Sequence, residues 1–159
     1  MLTAAERHDL LAQMQCLPAA VETAVKNLTD AQLNTPYREG GWTVGQVVHH
    51  LADSHLNGFV RMKLMLTEVG PVLKPYDQDA WAKLPDTTAM PVESSILILK
   101  GLHERWFALL ENLPEASWNR SAFHPEIGVV TLADLLADYA RHGEQHVQQV
   151  MRLRAAQEW

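Results

Sequence analysis

The spacing of its apolar residues constrains this chain most. Leu10, Met14, Leu17, Val21, Val25 and Leu28 advance by four, three, four, four and three, as they must if one stripe of an α-helix is to be buried. Three more segments carry the same period. Val44, Val47, Val48, Leu51, Phe59, Met62 and Leu66 predict a second helix running to about Val69. Val92, Ile96, Leu99, Trp106, Leu110 and Leu113 predict a third, stopped by Pro114. Leu132, Leu135, Leu136, Tyr139, Val150 and Leu153 predict a fourth, to about Arg154. Start signals agree: Thr3 with Glu6, Thr43 with Gln46 and Thr131 with Asp134 have capping-box spacing, and Pro91 suits a first turn. Pro18 falls inside the first segment, where it would kink or divide the helix.

Four long helices without a strand set or internal repeat indicate an all-α four-helix bundle with long loops after helices 2 and 3. Residues 70–90, with Pro71, Pro75 and Pro85, form an unusually long connection, and such loops often carry function. Residues 117–130 read as an irregular loop or short extended excursion. With 159 residues, 47% of them apolar, residues 1–159 suit a single domain with a sizeable core.

Charge and composition remove several classes. A net charge of -6 and no basic stripe argue against nucleic acid as a partner. No apolar run approaches the ~18 residues of a membrane span, and the first residues lack a basic start followed by an apolar stretch. A cytoplasmic protein that does not enter membranes is expected. Cys16 is the one cysteine, so an internal disulfide or a CxxC motif is excluded.

Histidine is therefore the residue that could dominate a metal site. His142 and His146 stand one turn apart, about 40° around a helix, and both continue the inward stripe of the fourth helix. An inward imidazole can equally be a core histidine bonded to a carbonyl, so the pair needs a third ligand. The second helix offers His49, His50 and His55. A helical wheel centres His55 on the stripe and puts the others on its flanks; because a bundle helix touches two neighbours, periodicity alone does not choose among them. His103 reads as core. Asp138, one turn before His142, can either accept from that imidazole or stand as a solvated carboxylate on the helix surface.

Taken together, WTVGQVVHHLADSH, PYDQDAW, and HPE ahead of YARHGEQH resemble the DinB-like superfamily of metal-binding helical bundles. The resemblance covers residues 27–154 and lies nearest the YfiT-type metal-dependent hydrolases, a branch that also contains bacillithiol transferases. It implies a four-helix core and a divalent metal, zinc or nickel, held by three histidines. The first is the histidine eight positions after the tryptophan, here His50, and the others are His142 and His146. A homodimer is also implied, in keeping with the frequency of two-fold assemblies. Arg141 and Gln145 depart from the Trp-His and extra histidines common in related final helices.

Three neutral imidazoles leave an ion its charge and an open position, as in catalytic sites. A protease-like arrangement does not fit, because Glu144 lies about 200° around the helix from His142. With no dedicated base on that face, the expected reaction transfers a low-molecular-weight thiol, bacillithiol-like, to an electrophilic small molecule. The alternatives are a hydrolase that activates water at the metal, or a non-catalytic, metal-stabilised, stress-associated bundle. Arg61, Tyr76, Asp77 and Trp81 are candidates to line the mouth, Trp42 is expected to anchor packing, and His124 to Glu126 carry no assigned role. No catalytic residue is assigned.

Overall fold

Each apolar stripe becomes a long helix in the structure, a computed structural model that describes residues 2–159. The elements run α1 (Ala4–Val25), α2 (Asp30–Leu33), α3 (Val44–Thr67), α4 (Gln78–Trp81), α5 (Pro85–Thr88), α6 (Val92–Leu110), a 3₁₀ turn (Glu115–Asn119), β1 (Ser121–His124), β2 (Gly128–Thr131) and α7 (Leu132–Ala156). The capping boxes of Thr3 with Glu6, Thr43 with Gln46 and Thr131 with Asp134 all form, and a fourth, Thr29 with Gln32, starts α2. Pro18 does not divide α1, which is one helix with the proline inside it. Pro91 sits at the N-cap of α6, one residue ahead of the first turn.

The order of packing, which periodicity left open, follows from two apolar clusters. One joins Leu11 and Met14 of α1, Phe59 to Met65 of α3, Leu102 to Leu110 of α6 and Leu132 to Ala140 of α7. The other joins Leu17 to Val25, Val44 to Ala52, Val92 to Leu99, and Val150. Thus α1 and α7 run in one direction, α3 and α6 in the other. Around the bundle α1 packs on α6 and α7, and α3 packs on the same two, so α1 stands diagonal to α3. Arg154 at the end of α7 donates to the carbonyls of Ala24 and Lys26 at the end of α1, as parallel neighbours require.

This topology explains the long second connection. Because α3 and α6 are parallel, residues 68–91 must return along the bundle, a distance of about 36 Å for a 24-residue helix. The strap is tied at intervals. Leu73 donates its amide to the carbonyl of Phe123, Phe123 donates to that of Pro71, and Gln46 donates to the carbonyl of Ala82 over 2.7 Å. Residues 121–131 are more ordered than an irregular loop, forming an antiparallel hairpin in register from Ser121 opposite Thr131 to His124 opposite Gly128. Among the described residues no helix is long and apolar enough to cross a membrane.

At Gly58 in α3, close approach explains the residue. A Cβ there would lie 2.4 Å from Cζ of Tyr139 and 2.7 Å from Cη2 of the fully buried Trp106. Glycine to alanine inside a helix ordinarily stabilises by up to about 1 kcal/mol, but overpacking rigid rings costs about 1–3 kcal/mol. Gly58→Ala is therefore expected to lower the urea midpoint, corresponding to a loss on the order of 1 kcal/mol; an increase would contradict this packing.

Candidate metal centre

Between the two apolar clusters lies a layer of histidine. Its outer part brings together His50 of α3 with His142 and His146 of α7, each offering one ring nitrogen, all within 4.8 Å of one another. The Nε2 atoms of His50 and His142 are 3.1 Å apart. Nitrogen ligands sit about 2.0–2.1 Å from a zinc-like ion and hence about 3.3–3.5 Å from each other in a tetrahedral arrangement, so His50 and His142 already stand close to the separation one divalent cation sets, with His146 near enough to complete the set. His146 donates from Nδ1 to Oε1 of Gln149 over 2.8 Å, which leaves its Nε2 lone pair free. Trp42 covers this side, with its ring 4.5 Å from His50 and stacked on His146 at 6.4 Å. It does anchor packing, and what it packs on is the imidazole cluster.

Of the three second-helix histidines, His50 joins the cluster. His55 lies deeper, fully buried, and His49 turns away, its Nε2 donating to the carbonyl of Met90 over 3.1 Å while Nδ1 accepts from the Ser95 hydroxyl at 2.7 Å. His49 therefore ties α3 to α6 and its approach. Of the two readings of Asp138 the structure takes the surface one: its carboxylate is half-exposed and paired with Arg141, and Nδ1 of His142 faces His55 instead. Glu144 is on the outside, as its position around the helix predicts, accepting from Gln13 over 2.7 Å.

Burial keeps these imidazoles neutral. It pushes His50 down to about 3, helped by His142 and His146, and His142 down to about 4, helped by His146; His146 itself is lowered by burial. Neutral rings are what a cation needs, since a protonated ring has no lone pair.

His142 also borders an open cavity of about 700 Å³ lined by Ser54, Arg61, Tyr76, Asp77, Gln78, His124 and Glu126. Residues of the strap and of the hairpin, His124 at the end of β1 and Glu126 in its turn, thus reach the same space. Arg61 donates from Nη1 to the Tyr139 hydroxyl (3.1 Å) and from Nη2 to the Lys74 carbonyl (2.6 Å), while its buried Nε has no partner among the described residues. Asp77 caps α4 through Ala80. Trp81 packs on Tyr76 with ring centroids 4.5 Å apart and does not itself line this cavity. The HPE triplet, unassigned from sequence, supplies a carboxylate residue and a buried imidazole to the cavity wall. Its position could not be read from a segment without period.

A bundle of this order with a cluster of three histidines defines a class of metal-binding helical proteins, and the comparisons narrow it. The chain belongs to the DinB superfamily, whose family model matches residues 13–150. It is 49% identical over 158 residues to a Geobacillus kaustophilus protein named "putative metal-dependent hydrolase", covering 98% of this chain and 88% of that one. It is 44% identical over 144 residues to YfiT of Bacillus subtilis, named in the same way, covering 90% and 81%. The solved structure of YfiT, described as an unusual four-helix bundle topology, superimposes with a TM-score of 0.98 at 39% identity over 100% of this chain and 91% of that one. A second four-helix bundle protein, TT2238, shares the fold at a TM-score of 0.63 and 16% identity, over 92% of this chain and 98% of that one.

Buried neutral histidines make stability depend on acid. In the unfolded chain each titrates near 6.5, whereas in the folded chain His50 is lowered to about 3 and His142 and His103 to about 4. Below about pH 6.5 the unfolded state binds more protons, so stability is complete above that value and falls toward about pH 4. Each such group removes about 1.4 kcal/mol per pH unit within this window. Urea midpoints of the metal-free protein should be level above about pH 7 and drop steeply below about 6.5; a level curve down to about pH 5 would contradict a buried neutral cluster.

Proposed function

We propose that His50, His142 and His146 hold a divalent metal, zinc or nickel, and that the protein transfers a low-molecular-weight thiol to an electrophilic small molecule. The observation that carries this reading is the placement of Arg61 in the same cavity as His142. A guanidinium in the cavity wall beside Tyr76, with a second N–H left on each Nη, suits a thiol that also carries an anionic group. A divalent cation there would supply Lewis acidity, lowering the pKa of a thiol or a water held beside it. The protein's own residues would do the rest. Arg61 orients the anion, Tyr76 lines the outer wall with Trp81 packed against its ring, and the Glu126 carboxylate accepts the thiol proton. In the overall change a sulfur–carbon bond forms, the bond from that carbon to its leaving group breaks, and the thiol proton departs.

Glu126 also supports a second reading, hydrolysis of an amide or ester-like bond, because it puts a potential base in a cavity where the helix face of His142 has none. The names of the relatives point in that direction. A readout with and without thiol separates the two. With zinc- or nickel-loaded protein, a cysteine-containing anionic thiol and a chlorinated aromatic acceptor should give a thioether only when metal and thiol are both present. Arg61→Gln should raise KM for that thiol about tenfold, the loss of one charge-assisted contact, with a smaller effect on kcat. Thiol-independent turnover of an ester would replace transfer by hydrolysis. If His142→Ala lost metal and melting temperature while neither activity was ever detectable in the unmodified protein, the metal would be structural.

A further inference from the structure

Pro18 leaves a carbonyl in α1 without its helical partner, and that carbonyl has a use. In an α-helix the amide of residue 18 would donate to the carbonyl of Met14, but proline has no N–H. Instead Nδ1 of His103, from α6, donates to the Met14 carbonyl over 2.6 Å. From there a line of imidazoles crosses the bundle. Nε2 of His103 is 3.0 Å from Nδ1 of His55, and Nε2 of His55 is 3.4 Å, a longer contact, from Nδ1 of His142. Nε2 of His142 is the nitrogen that faces His50.

The line has one direction. A carbonyl oxygen only accepts, so His103 must carry its proton on Nδ1 and accept at Nε2. His55 then carries its proton on Nδ1 and accepts at Nε2, and His142 donates from Nδ1. What remains on His142 is a bare lone pair on Nε2. We propose that Pro18, His103 and His55 are positioning residues that fix the tautomer and ring orientation of His142, leaving its Nε2 ready for a cation. This rests on the reading of His142 as a ligand.

Three features support the assignment. First, Nδ1 of His142 has no carboxylate to donate to, because Asp138 is paired with Arg141 on the surface, although a metal-bound histidine nearly always has such an acceptor. Second, His55 and His103 are held by rings on several sides. His55 stacks on His103 with centroids 5.0 Å apart and meets the edges of Trp106 at 5.8 Å and Tyr139 at 5.4 Å. Third, both rings are buried, and each of their four ring nitrogens has a partner in the row, so each ring gives one donor and one acceptor. Two buried polar side chains in an apolar core thereby satisfy all their hydrogen-bonding capacity in one row.

The metal-free protein provides the direct test. Long-range ¹⁵N–¹H spectra at neutral pH are expected to show His55, His103 and His142 all protonated on Nδ1, opposite to the tautomer free imidazole side chains prefer in water. Protons on Nε2 at His55 or His103 would overturn the proposal. Zinc affinity, measured by competition with a chelator, supplies the second arm. His103→Leu should weaken it about 10–100-fold, and His103→Gln, which retains one acceptor and one donor, should recover most of the loss. Equal affinity of the Leu variant and the parent would overturn the positioning role, provided both have native circular dichroism. His142→Ala, run alongside, should abolish binding; if it binds zinc normally, the ligand reading itself has failed, a result distinguishable from intact His142 dependence with no effect at His103.

Discussion

The Met14 carbonyl, stripped of its helical donor by Pro18 and taken up by His103, is the contact on which the centre of this bundle turns. It allows polar groups to be buried at mid-height without an unsatisfied atom, where burying one unpaired would cost a few kcal/mol. All four long helices meet in that layer. α1 gives a carbonyl, α6 gives His103, α3 gives His55 and His50, and α7 gives His142 and His146. Above and below it the core is apolar, so the layer also sets the register of each helix against the others: a slip of one turn would place a ring where aliphatic side chains pack.

The division of labour among elements follows from the topology. Helices, which are rigid and fixed by packing, hold the three candidate metal ligands. The strap between α3 and α6 and the hairpin before α7 hold Tyr76, Asp77, His124 and Glu126, the groups that face whatever enters the cavity. Arg61 belongs to both, rooted in α3 and bonded to the strap at Lys74 and to α7 at Tyr139.

Much of this could be read from residues in order. The four helices, their capping boxes and the inward direction of His142 and His146 are local properties, and apolar period and side-chain chemistry report them well. The choice of His50 over His55 was not local. His55 is closer to the centre of the stripe, and for that reason it lies deeper, behind the three-histidine cluster rather than in it. At Asp138 a spacing of one turn left two readings open, because it shows which residues can meet, not which competitor, here Arg141, will claim the carboxylate. Pro18 looked like a breaker; its effect on α1 was to release one acceptor, and no sequence rule says that a histidine 85 positions later will find it. The parallel order of α3 and α6 and the hairpin pairing are likewise long-range matters, hidden from any window of a dozen residues.

The strap has a consequence for how such a protein can change. It is anchored at its start to β1 and further on to Gln46, whose amide also caps α3, while the residues between those ties form the outer wall of the cavity. Insertions or substitutions between the ties would reshape the entrance without moving a helix or a histidine. The histidine cluster and the cavity entrance are thereby carried on separate parts of the chain, so a lineage built on this scaffold can keep one buried centre and diversify in what it admits.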